Sequence, residues 1–177
     1  APDGSSAARA ETAGSAPNTE ILLPNPVLWN GLRAPALYTC TARVTGADGQ
    51  TDEVVLTFGL RSFFVDPEKG FFLNGKHVPL RGVARHQDRQ SYGNAVYPEQ
   101  LEEDMSILWD IGANAVRLSH YQHPQHFYDL CDREGLVVWA EIPMLAMPDD
   151  EALMQNACRQ LTELILQNLH HPSICFW

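Results

Sequence analysis

The chain has 177 residues and a formal net charge of −10 at pH 7. This length suits one ordinary domain or two small ones, and it is too short for a complete (β/α)8 barrel, which needs about 250 residues. The acidic balance argues against nucleic acid and anionic membranes as partners, because both attract basic surfaces.

The sequence gives no sign of a membrane segment or of a leader. It lacks the run of about 18 apolar residues that predicts a transmembrane helix. Its N-terminus lacks the basic stretch followed by an apolar one that marks a signal peptide. We therefore expect a cytoplasmic protein, with a leader upstream of residue 1 left open.

The first part of the chain predicts a linker followed by two strands. Residues 1–20 are rich in Ala, Ser, Gly and Pro, which predicts a flexible linker or loop. Residues 37–44 alternate in polarity as a strand does, and 53–60 are rich in β-branched and aromatic residues. The turn signal between these two strands predicts that they form an antiparallel pair. Since two strands cannot form a sandwich alone, 21–66 predicts the C-terminal part of a β-sandwich whose earlier strands lie upstream.

The next stretch predicts a hairpin and then a buried strand. Residues 71–80 contain Asn74-Gly75, the strongest short signal for a tight hairpin turn. Residues 80–84 are apolar and predict a short strand that ends in Arg85 and His86.

From Pro98 onward, helix and strand patterns alternate strictly. Pro98 and the glutamates after it favour a helix start, and Gly112 ends that helix. A strand from Ala115 to Leu118, a helix from Pro124 to about Glu134, and a strand from Leu136 to Ala140 follow. The order strand, helix, strand with continuous apolar strands is typical of a parallel sheet in an α/β protein.

The last stretch repeats this pattern once more. Residues 143–148 predict a loop, and Asp149 or Asp150 caps a third helix that His171-Pro172 ends. A fourth buried strand begins at Ser173. Residues 67–177 therefore predict an α/β fold, the N-terminal half of a TIM (β/α)8 barrel. Open sheet edges predict that the isolated chain aggregates, forms homo-oligomers or needs further strands.

Polar side chains follow the predicted strands at the ends where barrel enzymes carry their active sites. The residues at these ends are Arg85, His86, Arg117, His120, Tyr121, Trp139 and Glu141. Hydroxyl partners and an aromatic platform suit a neutral sugar. A structural interpretation stays open: His86 and His120 as hydrogen-bonded structural residues, and Arg117 with Glu141 as a buried ion pair.

Other residues predict no metal or cofactor site. His120, His123 and His126 lie close in sequence, but no carboxylate joins them at a recognised ligand spacing. The sequence has neither a Gly-rich phosphate loop nor a Ser nucleophile elbow. Asp129 and Asp132 lie in the second helix and favour surface or packing roles. The four cysteines lack pair spacing and predict free thiols, at Cys40, Cys131, Cys158 and Cys175.

Four motifs resemble glycoside hydrolase family 2, the family of β-galactosidases, β-glucuronidases and β-mannosidases. Over residues 21–177 they are L-W-N-G-L-R-A-P-A-L-Y-T, F-L-N-G-K-H-V-P-L-R-G-V-A-R-H, N-A-V-R-L-S-H-Y with F-Y-D-L-C-D-R-E-G-L-V-V-W, and N-L-H-H-P-S-I-C-F-W. The resemblance implies an immunoglobulin-like β-sandwich in 21–66, followed by a catalytic barrel.

The resemblance also implies a chemistry and a set of roles. The family hydrolyses β-glycosidic bonds with retention, using two glutamates whose carboxyl groups lie roughly 5 Å apart. His86 and His120 resemble histidines that line the sugar subsite, Arg117 resembles the arginine that holds the nucleophile, and Glu141 matches an acidic position after the third strand. Both catalytic glutamates are expected beyond Trp177. We therefore expect a fragment without catalytic residues of its own, inactive alone.

The finer assignment is a bacterial-type β-galactosidase acting on β-galactoside oligosaccharides. A β-glucuronidase or β-mannosidase of the same family stays open, as does a non-catalytic carbohydrate-binding protein. A glucuronidase needs cationic partners for the sugar carboxylate, which in the family usually lie in later loops. Some β-galactosidases bind magnesium through a Glu-x-His pair, which Glu141-Ile142-Pro143 lacks, so no metal is expected.

Overall fold

The structure is a computed structural model that describes residues 1–14, 18–146 and 149–177. Along the described chain a 3-10 turn, Gly31–Arg33, precedes nine strands and three helices. The strands are β1 Tyr38–Thr45, β2 Thr51–Phe58, β3 Phe63–Asp66, β4 Gly70–Leu73, β5 Lys76–His77, β6 Gly82–Arg85, β7 Ala115–Leu118, β8 Val137–Ala140 and β9 Ile174–Phe176. The helices are α1 Pro98–Asp110, α2 Gln125–Glu134 and α3 Glu151–Asn168.

Strands β1 and β2 form the predicted antiparallel hairpin. Tyr38 pairs with Phe58 at its base, and their rings stack with centroids 5.5 Å apart. Tyr38 is buried, whereas most of the hairpin beyond it is exposed. The described part of the predicted linker, residues 1–14 and 18–20, contains neither helix nor strand; residues 15–17 lie outside the described chain.

Strands β3, β4 and β5 form a second, three-stranded antiparallel sheet. The turn between β4 and β5 has φ of 48° at Asn74 and 75° at Gly75, the left-handed pair that a tight hairpin turn requires. The sequence places 63–66 at the end of the sandwich region, yet β3 pairs with β4 here. Phe64 stacks on Phe72 with centroids 4.6 Å apart, a cross-strand contact that fixes this pairing.

The four remaining strands form one parallel sheet in the order β6-β7-β8-β9. Each pairs with the next in sequence, and α1, α2 and α3 cross between them, as the alternation predicts. Gly135 ends α2 in the left-handed conformation, and Asp150, one of the two predicted caps, accepts a hydrogen bond from Leu153 N at 2.9 Å. Of the predicted loop over 143–148, residues 147–148 lie outside the described chain.

The parallel sheet has a core on each face. On the helix side, strand residues pack against all three helices in one cluster that includes Val116, Val138 and Leu164. The opposite face would be the interior of a barrel. Trp29, Phe71 and Leu73 cover its lower half by packing on Ala115, Val137 and Cys175. The upper half, at the carboxyl ends of the strands, stays open.

A close backbone approach joins the N-terminal region to the barrel. A Cβ at Gly135 would lie 2.3 Å from the carbonyl carbon of Gly31, so only glycine fits. Trp29 is fully buried and donates its indole N–H to the Asp132 carbonyl at 2.8 Å. These contacts fix the 3-10 turn against the end of α2.

Two predictions about side chains outside the site are confirmed. All four cysteines are free, and Cys131 and Cys175 are buried. Asp132 is a buried packing partner: it pairs with His171 at 2.6 Å and accepts from Ser173 N at 3.0 Å.

Among the described residues, no helix combines the length and apolarity that crossing a bilayer needs.

Candidate functional site

The parallel register brings the predicted site residues to one edge of the sheet. Arg85 lies beside Leu118, and Leu118 beside Ala140, so β6, β7 and β8 end level with one another. His86, Ser119 and Glu141 are the residues that follow these ends. Neighbouring loops therefore carry His86, His120 and Glu141 side by side.

Arg117 projects from β7 on the open face and binds Glu141 with two donors. Its Nε donates to Oε1 in a short contact, and Nη2 lies 3.3 Å from Oε2. Burial disfavours the charged form of Glu141, but hydrogen bonds from Arg117 and His120 outweigh it and hold the pKa of the carboxyl below its ordinary value. Glu141 is therefore ionised at neutral pH, and the hydrogen bond to it raises the pKa of Arg117.

His120 completes this cluster. Its Nδ1 lies 3.0 Å from Glu141 Oε2, and a carboxylate can only accept, so Nδ1 carries the proton. The Arg117 Nη2 group, 3.4 Å from the same Nδ1, then faces another donor and makes no hydrogen bond with it. When its ring is neutral, the Nε2 atom of the partly exposed His120 is an acceptor.

His86 lies against His120. The two rings meet edge to face with centroids 5.1 Å apart, and His86 is exposed. The two imidazoles and the Arg117–Glu141 pair therefore gather around one end of the open sheet face. The sequence predicts this convergence, and the structure brings all four residues together.

The two predicted aromatic residues, Trp139 and Tyr121, differ in what they contact. Trp139 lies beside Arg117 on β8, 45% exposed, with the guanidinium carbon 5.0 Å from its ring centroid. Tyr121 instead stacks on the buried His123 with centroids 5.1 Å apart, and its hydroxyl accepts from Gln87 N at 3.0 Å. Trp139 is thus partly exposed beside the polar cluster, with Arg117 lying over its ring.

Arg85 lies at a strand end as predicted but turns away from the open face. Its side chain is 8% exposed and forms an ion pair with Asp104 at 2.6 Å. Its Nη1 lies 2.8 Å from His123 Nδ1. The sequence places Arg85 at a strand end, but it predicts neither its burial nor its contacts with Asp104 and His123.

The clustered histidines make separate contacts. His123 is buried beneath the site, and burial lowers its pKa to about 4. His126 faces Glu102 on α1 at 3.6 Å. Within the described residues, one group has metal-ligand spacing, formed by Asp129, Asp132 and His171 on the helix side. Its Asp132 and His171 are already satisfied by each other and by Ser173 N, so we assign it no ion.

The chemical capacity of the cluster follows from these contacts. It offers two imidazole rings, a partly exposed tryptophan ring and an ion pair whose charges balance, which suits the hydroxyls and apolar face of a sugar. Retaining hydrolysis needs two carboxyl groups about 5 Å apart. Among the described residues of the cluster, Glu141 is the one carboxylate, and Arg117 holds it ionised. The described residues of the cluster can therefore contact a sugar, but they do not include a pair of carboxyl groups for hydrolysis.

Comparisons with known proteins find matches to both parts of the chain. The family model described as the TIM barrel domain of glycosyl hydrolases family 2 matches residues 65–177. A second model of glycosyl hydrolases family 2 matches residues 2–61, which include the predicted linker. The two matches follow the division between the antiparallel pair β1–β2 and the later sheets.

Relatives with solved or curated descriptions show the same likeness. A β-glucuronidase of Bacteroides fragilis is 45% identical over 165 residues, which are 89% of this chain and 24% of that protein. The apo structure of Bacteroides uniformis β-glucuronidase 3 is 38% identical with a TM-score of 0.78, over 86% of this chain and 19% of that one. A putative β-galactosidase from Bacteroides fragilis is 42% identical, also with a TM-score of 0.78, over 86% and 22%. The chain spans about a quarter or less of their lengths.

Proposed function

This chain belongs to glycosyl hydrolases family 2. From this we propose that the protein containing this site hydrolyses terminal β-glycosides. We further propose that its substrates are β-glucuronides. The observation that carries the sugar-binding part is the convergence of His86, Arg117, His120 and Glu141 at one edge of the parallel sheet. The glucuronide part is supported by the relatives, since those with 45% and 38% identity are β-glucuronidases.

The roles we assign follow from the contacts. The His120 Nε2 acceptor and the exposed His86 ring lie where sugar hydroxyls can bind them, and Trp139 supports the apolar face of the ring. Arg117 and Glu141 act as a rigid base for this wall, because two donors hold one carboxylate. Protonation of the leaving group and attack on the anomeric carbon belong to two further carboxylates, as retention requires.

The charge balance of the cluster bears on the choice of sugar. Arg117 is already paired with Glu141, so it does not supply a free cation for the carboxylate of a uronic acid. The cluster fits any pyranose through hydroxyl contacts. In this proposal the cations that recognise the glucuronate carboxylate come from outside the cluster.

A β-galactosidase, the assignment that the sequence favours, is the second candidate. Two observations support it: the 42% identity to a putative β-galactosidase, and the balanced charge of a cluster that suits a neutral sugar. The sugar carboxylate is the chemical difference between the two candidates, so substrate choice separates them.

The test compares nitrophenyl glycosides on the protein expressed from its natural gene. We expect kcat/KM for the β-glucuronide to exceed that for the β-galactoside and the β-mannoside by about tenfold or more, since a site built for a carboxylate rejects analogues that lack it. An Arg117→Ala preparation controls for contaminating enzymes. Faster galactoside turnover would establish the second candidate. Sugar binding without any turnover would point to a non-catalytic carbohydrate-binding protein.

A further inference from the structure

A buried polar network lies directly beneath the two site histidines. The Arg85 guanidinium donates through Nε and Nη2 to Asp104 Oδ2, at 2.9 and 2.6 Å. It lies 4.1 Å from the ring centroid of Phe127. Its remaining nitrogen, Nη1, is 2.8 Å from Nδ1 of His123. Arg85 is therefore fixed in orientation, with one donor reserved for His123.

These contacts determine the protonation of His123. A guanidinium can only donate, so His123 Nδ1 must accept. The proton of a neutral imidazole then resides on Nε2, which lies 3.1 Å from the carbonyl oxygen of Ser119 and donates to it. Burial, together with the nearby Arg85 charge, lowers the pKa of His123 to about 4, which keeps the ring neutral at physiological pH.

Ser119 is thereby held on both sides. Its N–H donates to the Arg85 carbonyl at 3.0 Å, and its own carbonyl accepts from His123. That carbonyl belongs to the peptide unit that leads to His120. Because a peptide unit is planar, fixing its oxygen also fixes the direction in which the Cα of His120 leaves it.

A second set of contacts links His123 to the loop that carries His86. Gln87 directly follows His86, and its backbone N–H donates to the hydroxyl of Tyr121 at 3.0 Å. The Tyr121 ring stacks on His123 with an interplanar angle of 19°. His123 therefore contacts the residues on both sides of His120, and through Tyr121 it supports the loop of His86.

We propose that His123 is a positioning residue for this site: by bridging Arg85 and the Ser119 carbonyl, it holds His120 between Glu141 and His86. His123 is 2% exposed and does not reach the open face, so its effect passes through His120. The consequence for catalysis rests on the proposed glycosidase function, whereas the consequence for the position of His120 does not.

The experiment uses three substitutions of His123 in the protein expressed from its natural gene. His123→Phe keeps a ring for stacking and removes both polar contacts. His123→Gln places an amide N–H near the Nε2 position, whereas His123→Asn offers an acceptor to Arg85 but is too short to reach Ser119. The matched control is Leu164→Ala, a cavity in the same core without polar contacts to the site.

We expect His123→Phe and His123→Asn to lower kcat/KM on the best nitrophenyl glycoside about 10- to 100-fold. His123→Gln should recover most of this loss. Leu164→Ala should lower thermal stability and leave kcat/KM of the folded enzyme unchanged. If His123→Phe fails to fold, the contrast between Gln and Asn carries the test. Equal activity of these two variants and the wild type would overturn the proposal.

A structural readout separates this proposal from the proposed function. Nitrogen-15 NMR of His120 should show a proton on Nδ1 in the wild type and in His123→Gln, and loss of that single tautomer in His123→Asn. A wild type without glycosidase activity would overturn the proposed function alone. An unchanged His120 signal in all variants would overturn the positioning role even in an active enzyme.

Discussion

The rings of His86 and His120 lie edge to face with centroids 5.1 Å apart, although each follows a different strand. They meet because β6 and β7 are parallel neighbours that end level, Arg85 beside Leu118. One imidazole is exposed and the other is anchored to Glu141. The pair forms one wall of the open end of the sheet.

Because the two rings are in contact, their contributions to sugar binding should be coupled. We expect His86→Ala and His120→Ala each to lower kcat/KM on the best nitrophenyl glycoside, and the double variant to lose less than the product of the two effects. Steady-state kinetics on the four proteins gives the coupling. His77→Ala, on the exposed strand β5, is the control. Full multiplicativity would mean that the rings act independently.

Arg117 and Glu141 should matter for activity more than for stability. Arg117→Lys replaces a fork that binds both carboxylate oxygens with a single point charge, so Glu141 and His120 shift. We expect kcat/KM to fall about 100-fold, the scale of a 1 Å misplacement. The melting temperature should change little, because partly exposed ion pairs contribute only about 0–1 kcal/mol. An unchanged kcat/KM in Arg117→Lys would contradict the proposal that Arg117 orients Glu141 and His120.

The barrel part of the fold was predictable from the sequence because its signals are local. Apolar runs, Gly112, Gly135 and the Asp150 cap each mark an element boundary without knowledge of the tertiary structure. The pairing of β3 was not predictable in this way. The sequence of an extended run beside a turn does not show which strand it pairs with. The pairing of β3 with β4 involves the cross-strand contact of Phe64 with Phe72.

The sequence predicts the residues of the site that lie at or just after the ends of the parallel strands. Parallel register alone brings His86, Arg117, His120 and Glu141 together. Tyr121 instead stacks on the buried His123, and His123 contacts Arg85, whose ion pair with Asp104 joins β6 to α1. A contact between side chains on separate elements leaves no periodic pattern in the sequence, so the network beneath the site was missed.

The buried His123 should make stability depend on pH on the acid side. Its pKa is about 4 in the folded chain against an ordinary 6.5. Between these values the unfolded chain binds a proton that the folded chain excludes, so stability falls as pH decreases from about 6.5 to about 4. The difference amounts to about 3 kcal/mol. Urea unfolding across this pH range measures it.

His123→Phe is the variant that isolates this effect, since it cannot be protonated. We expect its unfolding free energy to vary less with pH between about 4 and 6.5 than that of the wild type. His170, whose pKa burial also lowers, remains in both proteins, so some slope persists. Identical slopes in the two proteins would show that His123 is protonated as easily in the folded chain as in the unfolded one.

Gly135 should tolerate no side chain. Its φ is 80°, and a Cβ there would lie 2.3 Å from the Gly31 carbonyl carbon, so Gly135→Ala forces the 3-10 turn away from α2. We expect a loss of more than about 2 kcal/mol. Gly112→Ala is the matched control: its φ is 72°, with nothing within 4 Å, so it should cost only about 1 kcal/mol. Equal losses in chemical denaturation would contradict the clash.

The hydrogen bonds around the buried pair of Asp132 and His171 determine which of its atoms donate. Asn168 Nδ2 donates to the Leu164 carbonyl, so its Oδ1 accepts from Gln125 Nε2. The Gln125 Oε1 atom therefore faces His171 Nε2 at 3.0 Å, while Nδ1 faces Asp132 at 2.6 Å. Both ring nitrogens meet acceptors, so both donate, and His171 is an imidazolium paired with a carboxylate.

Removing the carboxylate should therefore leave the buried His171 without its counter-ion, so that His171 either stays charged at a cost or loses a proton. Asp132→Asn leaves His171 between two amides, and we expect a loss of about 3–5 kcal/mol, the cost of breaking a buried ion pair from one side. Asp129→Asn, a neighbouring and less buried carboxylate on the same helix, should cost under about 1 kcal/mol. Urea denaturation of the three proteins measures both losses, and nitrogen-15 NMR of His171 reports its two protons. A neutral His171 in the wild type, or equal losses for the two variants, would contradict the assignment.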